Sequence, residues 1–154
     1  MKWFSEDMPK YVQAKEYIDT AILPLQQFHI MDEASLEKDA FQREILSIYA
    51  NEIEKELSGR ILLTPTYHYL KVENMNMENE VERLNEWIKH LQSQPFKHIF
   101  VMTFDNGWKK NERKIAGELL WLPGIKQGNI HSEETIQVIK SQVEQISELI
   151  RSYW

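Results

Sequence analysis

Apolar runs alternate with helical repeats along this chain, and that alternation limits the fold more than any motif does. Continuous apolar stretches occur at Thr20-Ala21-Ile22-Leu23-Pro24-Leu25, Arg60–Thr64 and Lys97–Phe104. Between them lie segments with the period of an amphipathic helix. Phe41, Ile45, Ile48, Tyr49, Ile53 and Leu57 share one face of a helix over Leu36–Leu57. Met77, Val81, Leu84, Ile88 and Leu91 step by 4 and 3 in a second, and Ile136, Ile139, Val143, Ile146 and Ile150 do so in a last one. Strands separated by helices at roughly 40-residue spacing require right-handed parallel crossovers. The chain therefore reads as one α/β domain over 1–154. It is a sandwich with a small, mostly parallel sheet of about four strands and helices on both faces, in the order α-β-α-β-α-β-β-α.

Punctuation residues set the expected boundaries. A short helix is predicted over 8–18, capped by Ser5 or Asp7, with Pro9 in its first turn. Pro24 lacks a backbone donor and should lie at a strand's end or edge. Gly59 stands where a left-handed glycine ends the second helix. Thr66-Tyr67-His68-Tyr69-Leu70 continues the second strand's exit as extended chain or loop. Asn79 with Glu82 fits a capping box for the third helix, and Ser132 caps the last. Gly117–Leu122 reads as a fourth strand, with a helix over Asn111–Leu120 as the alternative. Its short link to the third strand favours an antiparallel pair. Leu122-Pro123-Gly124-Ile125 matches a type II turn.

Several function classes are excluded by what is missing. The chain has no cysteine, so disulfides, thiolate metal sites and cysteine nucleophiles are out. The histidines His29, His68, His90, His98 and His131 occur singly, and no helical zinc pair exists, so no metal and no cofactor are expected. No G-x-G-x-x-G, Walker-type P-loop or G-x-S-x-G elbow is present. The enzyme question stays open, with a non-enzyme favoured. No apolar run approaches a membrane span, and the first residues lack the apolar core of a secretory signal. A net charge of −6 argues against nucleic acid. A cytoplasmic protein is the expectation.

Candidate site residues follow from the sheet, because open parallel sheets bind at the carboxyl ends of their strands. Those ends deliver Tyr67, His68, Asp105 and Trp108 as potential ligand-binding groups. Each also has a plainer role. Asp105-Asn106-Gly107 is a turn-forming triplet, Trp108 suits the cover of a core, and His68 has no carboxylate partner at a telling spacing. The loop after the third strand offers Trp108, Lys109, Lys110 and Arg113 as a partner-binding surface. It is basic where residues 73–86 are acidic, an asymmetry that can orient a protein partner. Aromatic residues at both ends, Trp3-Phe4 and Tyr153-Trp154, point to termini docked on the body, or else to partner anchors.

The segments MKW, QAKEYIDTAILPL, GRILLTP, HIFVMT, GELLWLP and the final YW together resemble the YpiF-like family of spore-forming Firmicutes, a family of unknown function. The resemblance spans nearly the whole chain and transfers no catalytic or ligand residue. Genes of that family often lie beside those of a menaquinol–cytochrome c reductase, so the resemblance implies at most a soluble helper of respiratory-complex assembly. The favoured function is a non-catalytic protein–protein interaction module of open oligomeric state. The alternative is a small-ligand or nucleotide-binding domain, or an unrecognised enzyme, working at the sheet's carboxyl edge.

Overall fold

The computed structural model describes residues 1–125 and 128–154. The elements run α1 (Met8–Ala14), β1 (Thr20–Phe28), α2 (Leu36–Glu56), β2 (Ile61–Leu63), β3 (Tyr67–Leu70), α3 (Met77–Gln92), β4 (His98–Thr103), α4 (Asn106–Lys109), β5 (Glu118–Trp121) and α5 (Glu133–Ser152). The expected α/β sandwich is present, with five strands rather than about four. Strand order is β2-β1-β4-β5, β3 also pairs with β1, and every pairing is parallel.

Side-chain alternation along the strands separates two cores. Ile22, Phe100 and Met102 point to one face, where α2 and α5 supply Ile45, Tyr49, Ile53, Val143 and Ile146. Ala21, Leu23, Leu25, Ile99 and Val101 point to the other, under Val81, Leu84 and Ile88 of α3. Both faces of β1 and β4 are thus covered, which is why those segments read as continuous apolar runs.

Pro24 departs from expectation. It lies inside β1, opposite Met102 of the neighbouring β4, rather than at an end or edge. Along the other side of β1, β2 reaches only Ile22↔Leu63 and β3 begins at Leu25↔Tyr67. The Ile22 carbonyl faces that side, because it accepts from the Thr64 N–H, and alternation turns the Pro24 nitrogen the same way. The missing donor therefore falls in the interval where Thr64-Pro65-Thr66 leaves the sheet. One proline is tolerated in a central strand because its neighbour breaks there too. Tyr67–Leu70 then resumes the pairing as a true strand.

β5 is a strand, not a helix, and runs parallel to β4, with Phe100↔Glu118 through Thr103↔Trp121 in register. The link that looked too short for a crossover coils twice, through α4 and a 3₁₀ turn at Glu112–Lys114. Gly117 completes the return, since a Cβ there would sit 2.9 Å from the Ile99 carbonyl oxygen.

Other boundaries also shift. α1 stops at Ala14, and Asp7 accepts from the Lys2 N–H instead of capping the helix. Asn76, not Asn79, caps α3 by accepting from the Asn79 N–H. Positive φ among the described residues is confined to Gly59 and Gly128, so Gly124 does not form the type II turn. Ser132 caps α5 as expected, accepting from the Thr135 N–H.

The two ends behave differently. Tyr153 meets Phe100 edge-on at 5.1 Å, Trp154 donates from its indole to Thr20 Oγ1 at 2.9 Å, and the Arg60 guanidinium lies 4.2 Å over the Trp154 ring. At the other end, Lys2 bridges to Leu63 while Trp3 and Phe4 stay exposed.

Gly59 has φ +93°, and a Cβ on it would meet nothing within 4 Å. Gly59→Ala should therefore cost only the left-handed backbone penalty, about 1–2 kcal/mol. Urea unfolding measures it, and an unchanged midpoint would show that the turn relaxes.

Candidate functional site

Asp105 is the hub of the carboxyl edge. It follows β4 directly, and its own N–H donates to Thr103 Oγ1 at 3.0 Å. Oδ1 accepts from the Gly107 N–H at 2.8 Å, which turns the chain into α4. Oδ2 accepts from the Tyr69 hydroxyl at 2.6 Å, and the Lys71 ammonium donates to both oxygens at 2.9 Å. Burial opposes the charge on this carboxyl, but the hydrogen bonds from Tyr69, Gly107 and Lys71 outweigh it and hold the pKa below the ordinary carboxylate range. Burial, followed by that carboxylate's charge, pushes the Tyr69 hydroxyl far above the phenol range. Two donors on each oxygen use the usual acceptor capacity of a carboxylate. Asp105 is thus an ionised structural clamp between β4, β3 and α4, with no lone pair left for a substrate.

Trp108 lies beneath this clamp with 0% exposure. Tyr67 and Tyr69 meet it edge-on, at 6.3 and 5.2 Å between ring centroids. Its indole N–H is buried with no hydrogen-bond partner among the described residues. The indole fills the core and presents no face to a ligand or partner. Tyr67 is buried beside it and donates its hydroxyl to Glu80.

His68 stands apart from these residues. Alternation in β3 buries Tyr67 and Tyr69 and exposes His68, so its ring lies on the opposite face of the sheet, with Nδ1 3.1 Å from the Thr66 carbonyl. The four candidate ligand groups share one end of the sheet but not one cavity. Asp105 borders a cleft of about 240 Å³ between the ends of β1 and β4, whereas His68 borders a smaller hollow of about 120 Å³ with Thr64 and Asn51.

The basic loop is exposed but partly engaged. The Lys109 ammonium lies 4.1 Å over the Trp121 ring. Lys114 reaches Glu78 at 3.9 Å, and Asn85 of α3 bonds both the Lys114 carbonyl and the Ala116 N–H. The acidic and basic segments are therefore neighbours, and some of the charge asymmetry is spent within the molecule. Lys110 and Arg113 form no ion pair among the described residues.

A larger feature was not anticipated. The N-terminal segment, the exit of β2 and one side of α3 enclose an apolar groove of about 590 Å³. Trp3, Tyr11, Trp87, Phe96, Leu91 and Pro65 supply its apolar walls, and Glu86 and His90 sit among them. Tyr11 and Phe96 stack at 6.2 Å. Trp3 is 62% exposed and Trp87 38%. The readable signal was Trp87, a large apolar residue off the buried stripe of α3. The rest of the groove comes from segments too far apart in the chain for spacing to join them.

A model of the family described as "Protein of unknown function (DUF2487)" matches residues 9–154. The chain belongs to that family. It is also similar to "Uncharacterized protein YpiF" of Bacillus subtilis (strain 168), at 22% identity over 154 residues, covering 100% of this chain and 98% of that protein. No solved structure matches. Family membership agrees with the YpiF-like resemblance of the sequence and adds no chemistry to it. Among the described residues, no helix is long and apolar enough to cross a membrane.

Proposed function

We propose that this protein is a non-catalytic interaction module that holds an amphipathic segment of a protein partner in the groove beside α3. The observation that carries this reading is the groove itself, where two partly exposed tryptophans and two further aromatic rings line one concave apolar surface. Tryptophan and tyrosine dominate binding hot spots because they bury much area at little entropic cost. The saturated Asp105 supports a non-catalytic role, since the most buried carboxylate of the carboxyl edge is committed to structure.

Charge selects the partner. Glu82 and Glu86 project one turn apart from α3, Glu86 at the groove, and neither forms an ion pair among the described residues. A segment with apolar anchors at i, i+3 and i+4 and Lys or Arg on its flank would fill the groove and meet those carboxylates. A cytoplasmic location and a protein rather than nucleic-acid target go with this reading. The link to respiratory-complex assembly draws no support from the groove. Lys110 and Arg113 would serve as a peripheral contact at most, being separate from its walls.

Selection of a random helical peptide library on the intact protein tests the proposal. Enriched peptides should combine aromatic or aliphatic anchors with flanking Lys or Arg. Trp87→Ala should weaken them about tenfold or more, and Glu86→Lys should weaken the basic ones selectively. Enrichment of acidic peptides, or affinities indifferent to Trp87→Ala, would remove the groove from the proposal.

A further inference from the structure

We propose that Asn106 is a latent site of deamidation, and that the Asp105 clamp keeps it closed in the folded protein. Asparagine followed by glycine is the pair most open to this reaction, because glycine has no side chain to hinder attack by its own backbone nitrogen. No other asparagine of this chain precedes a glycine. In the reaction the Gly107 nitrogen loses its proton to the solvent and bonds to Asn106 Cγ. The Cγ–Nδ2 bond breaks, ammonia leaves, and a succinimide ring remains. Water then opens the ring at either carbonyl, giving aspartate or isoaspartate. One water is consumed for each ammonia released, and no other reactant is needed.

One half of the reacting pair is open and the other is held. Asn106 is exposed, and its side-chain amide has no hydrogen-bond partner among the described residues. The nucleophile, in contrast, is tied on both sides. The Gly107 N–H donates to Asp105 Oδ1 at 2.8 Å, and the Gly107 carbonyl accepts from Asn111 Nδ2 at 2.9 Å. The clamp also packs directly on this glycine, since a Cβ there would sit 3.2 Å from both Asp105 Oδ1 and Lys71 Nζ. Ring closure requires the Gly107 nitrogen to swing toward Asn106 Cγ, out of the helical backbone of α4. That swing breaks the bond to Asp105. A free carboxylate in the same place could instead draw off the proton and speed the attack. Asp105 already holds the Lys71 ammonium and the Tyr69 hydroxyl, so it accepts the hydrogen bond without taking the proton.

The position makes the reaction consequential. Isoaspartate routes the backbone through the side-chain carbons and so lengthens the chain at the first residue of α4. Two residues on is Trp108, 0% exposed in the core. Damage at Asn106 therefore pulls on the most deeply seated ring of this end of the molecule. Asn106 is not part of the aromatic groove, so this proposal stands or falls apart from the groove.

Incubation of the intact protein in mildly alkaline buffer, with peptide mass spectrometry for aspartate and isoaspartate, tests it. Wild type should resist conversion while folded. In urea it should convert at Asn106 ahead of every other asparagine. Asp105→Ala should convert at least about fivefold faster than folded wild type, the factor expected when an aspartate N-cap is lost and the turn opens more often. Gly59→Ala, a remote change that leaves the clamp intact, should convert at the wild-type rate. Hydrogen exchange gives a second reading that needs only wild type. The Gly107 amide should be protected at least about tenfold more than the Asn106 amide, an orphan donor of the first turn. Folded wild type converting as fast as the chain in urea overturns the proposal. So does Asp105→Ala converting no faster than wild type or no faster than Gly59→Ala, and so does equal protection of the two amides.

Discussion

Trp108→Ala should lower the unfolding free energy by about 3–5 kcal/mol, the range for deleting a fully buried large aromatic side chain. The indole is 0% exposed and meets two tyrosines edge-on. Those tyrosines are themselves tied down, Tyr67 by Glu80 and Tyr69 by Asp105, so neither can swing in to fill the void. A site that cannot collapse belongs at the upper end of the range. Trp108→Phe should cost much less, because it keeps a ring at the centre of the cluster and removes an indole N–H that has no hydrogen-bond partner. Denaturant unfolding of the two variants gives both numbers. If Ala and Phe cost the same small amount, the cluster repacks and Trp108 is not its centre. The same comparison separates a core role from a docking role, since a surface anchor would lose affinity without losing stability.

Burial on both faces made β4 readable: Ile99, Phe100, Val101 and Met102 leave no polar side to a helix or an edge strand. Helical stripes were equally plain in α3 and α5, where 3- and 4-residue steps repeat. What stayed hidden depended on partners distant in sequence. Pro24 could sit mid-strand only because β2 and β3 leave a break opposite it, which its own neighbours do not announce. The parallel direction of β5 depended on a link that coils twice, and a polar run does not advertise a 3₁₀ turn. At the site, the turn role of Asp105-Asn106-Gly107 was local and legible. The donors that saturate Asp105 were not, because Tyr69 and Lys71 lie 36 and 34 residues away. Tyr67 and His68 are adjacent in sequence and alternate between buried and exposed positions, so residues at one strand end need not share a cavity. The apolar groove needed three separate segments to meet.

Asp105→Asn should cost about 2–4 kcal/mol at neutral pH, from the loss of charge-assisted hydrogen bonds in a mostly buried clamp. The amide that replaces the carboxylate offers one acceptor oxygen, and its NH₂ would face donors at either Gly107 or Tyr69 and Lys71. The Lys71 side chain is 37% exposed and Asp105 only 11%, so the ammonium can rehydrate and the loss stays below that of a fully buried pair. Acid provides an independent check with a fixed sign. The folded-state pKa of Asp105 is lowered, so folding favours its ionised form. That contribution is fully present above the unfolded carboxyl value near 3.9 and is lost as pH falls through the lower folded value. The stability gap between wild type and Asp105→Asn should therefore be constant from pH 7 to about 5 and shrink below about 4. Because Asp19, held by Arg60, also has a lowered pKa, both proteins will weaken in acid, and the difference between them is the quantity that reports on Asp105. A gap that stays constant down to acid unfolding would mean that the clamp works through shape alone. A gap that closes ties the β3–β4–α4 junction, and with it one wall of the adjoining cleft, to the charge on this single carboxylate.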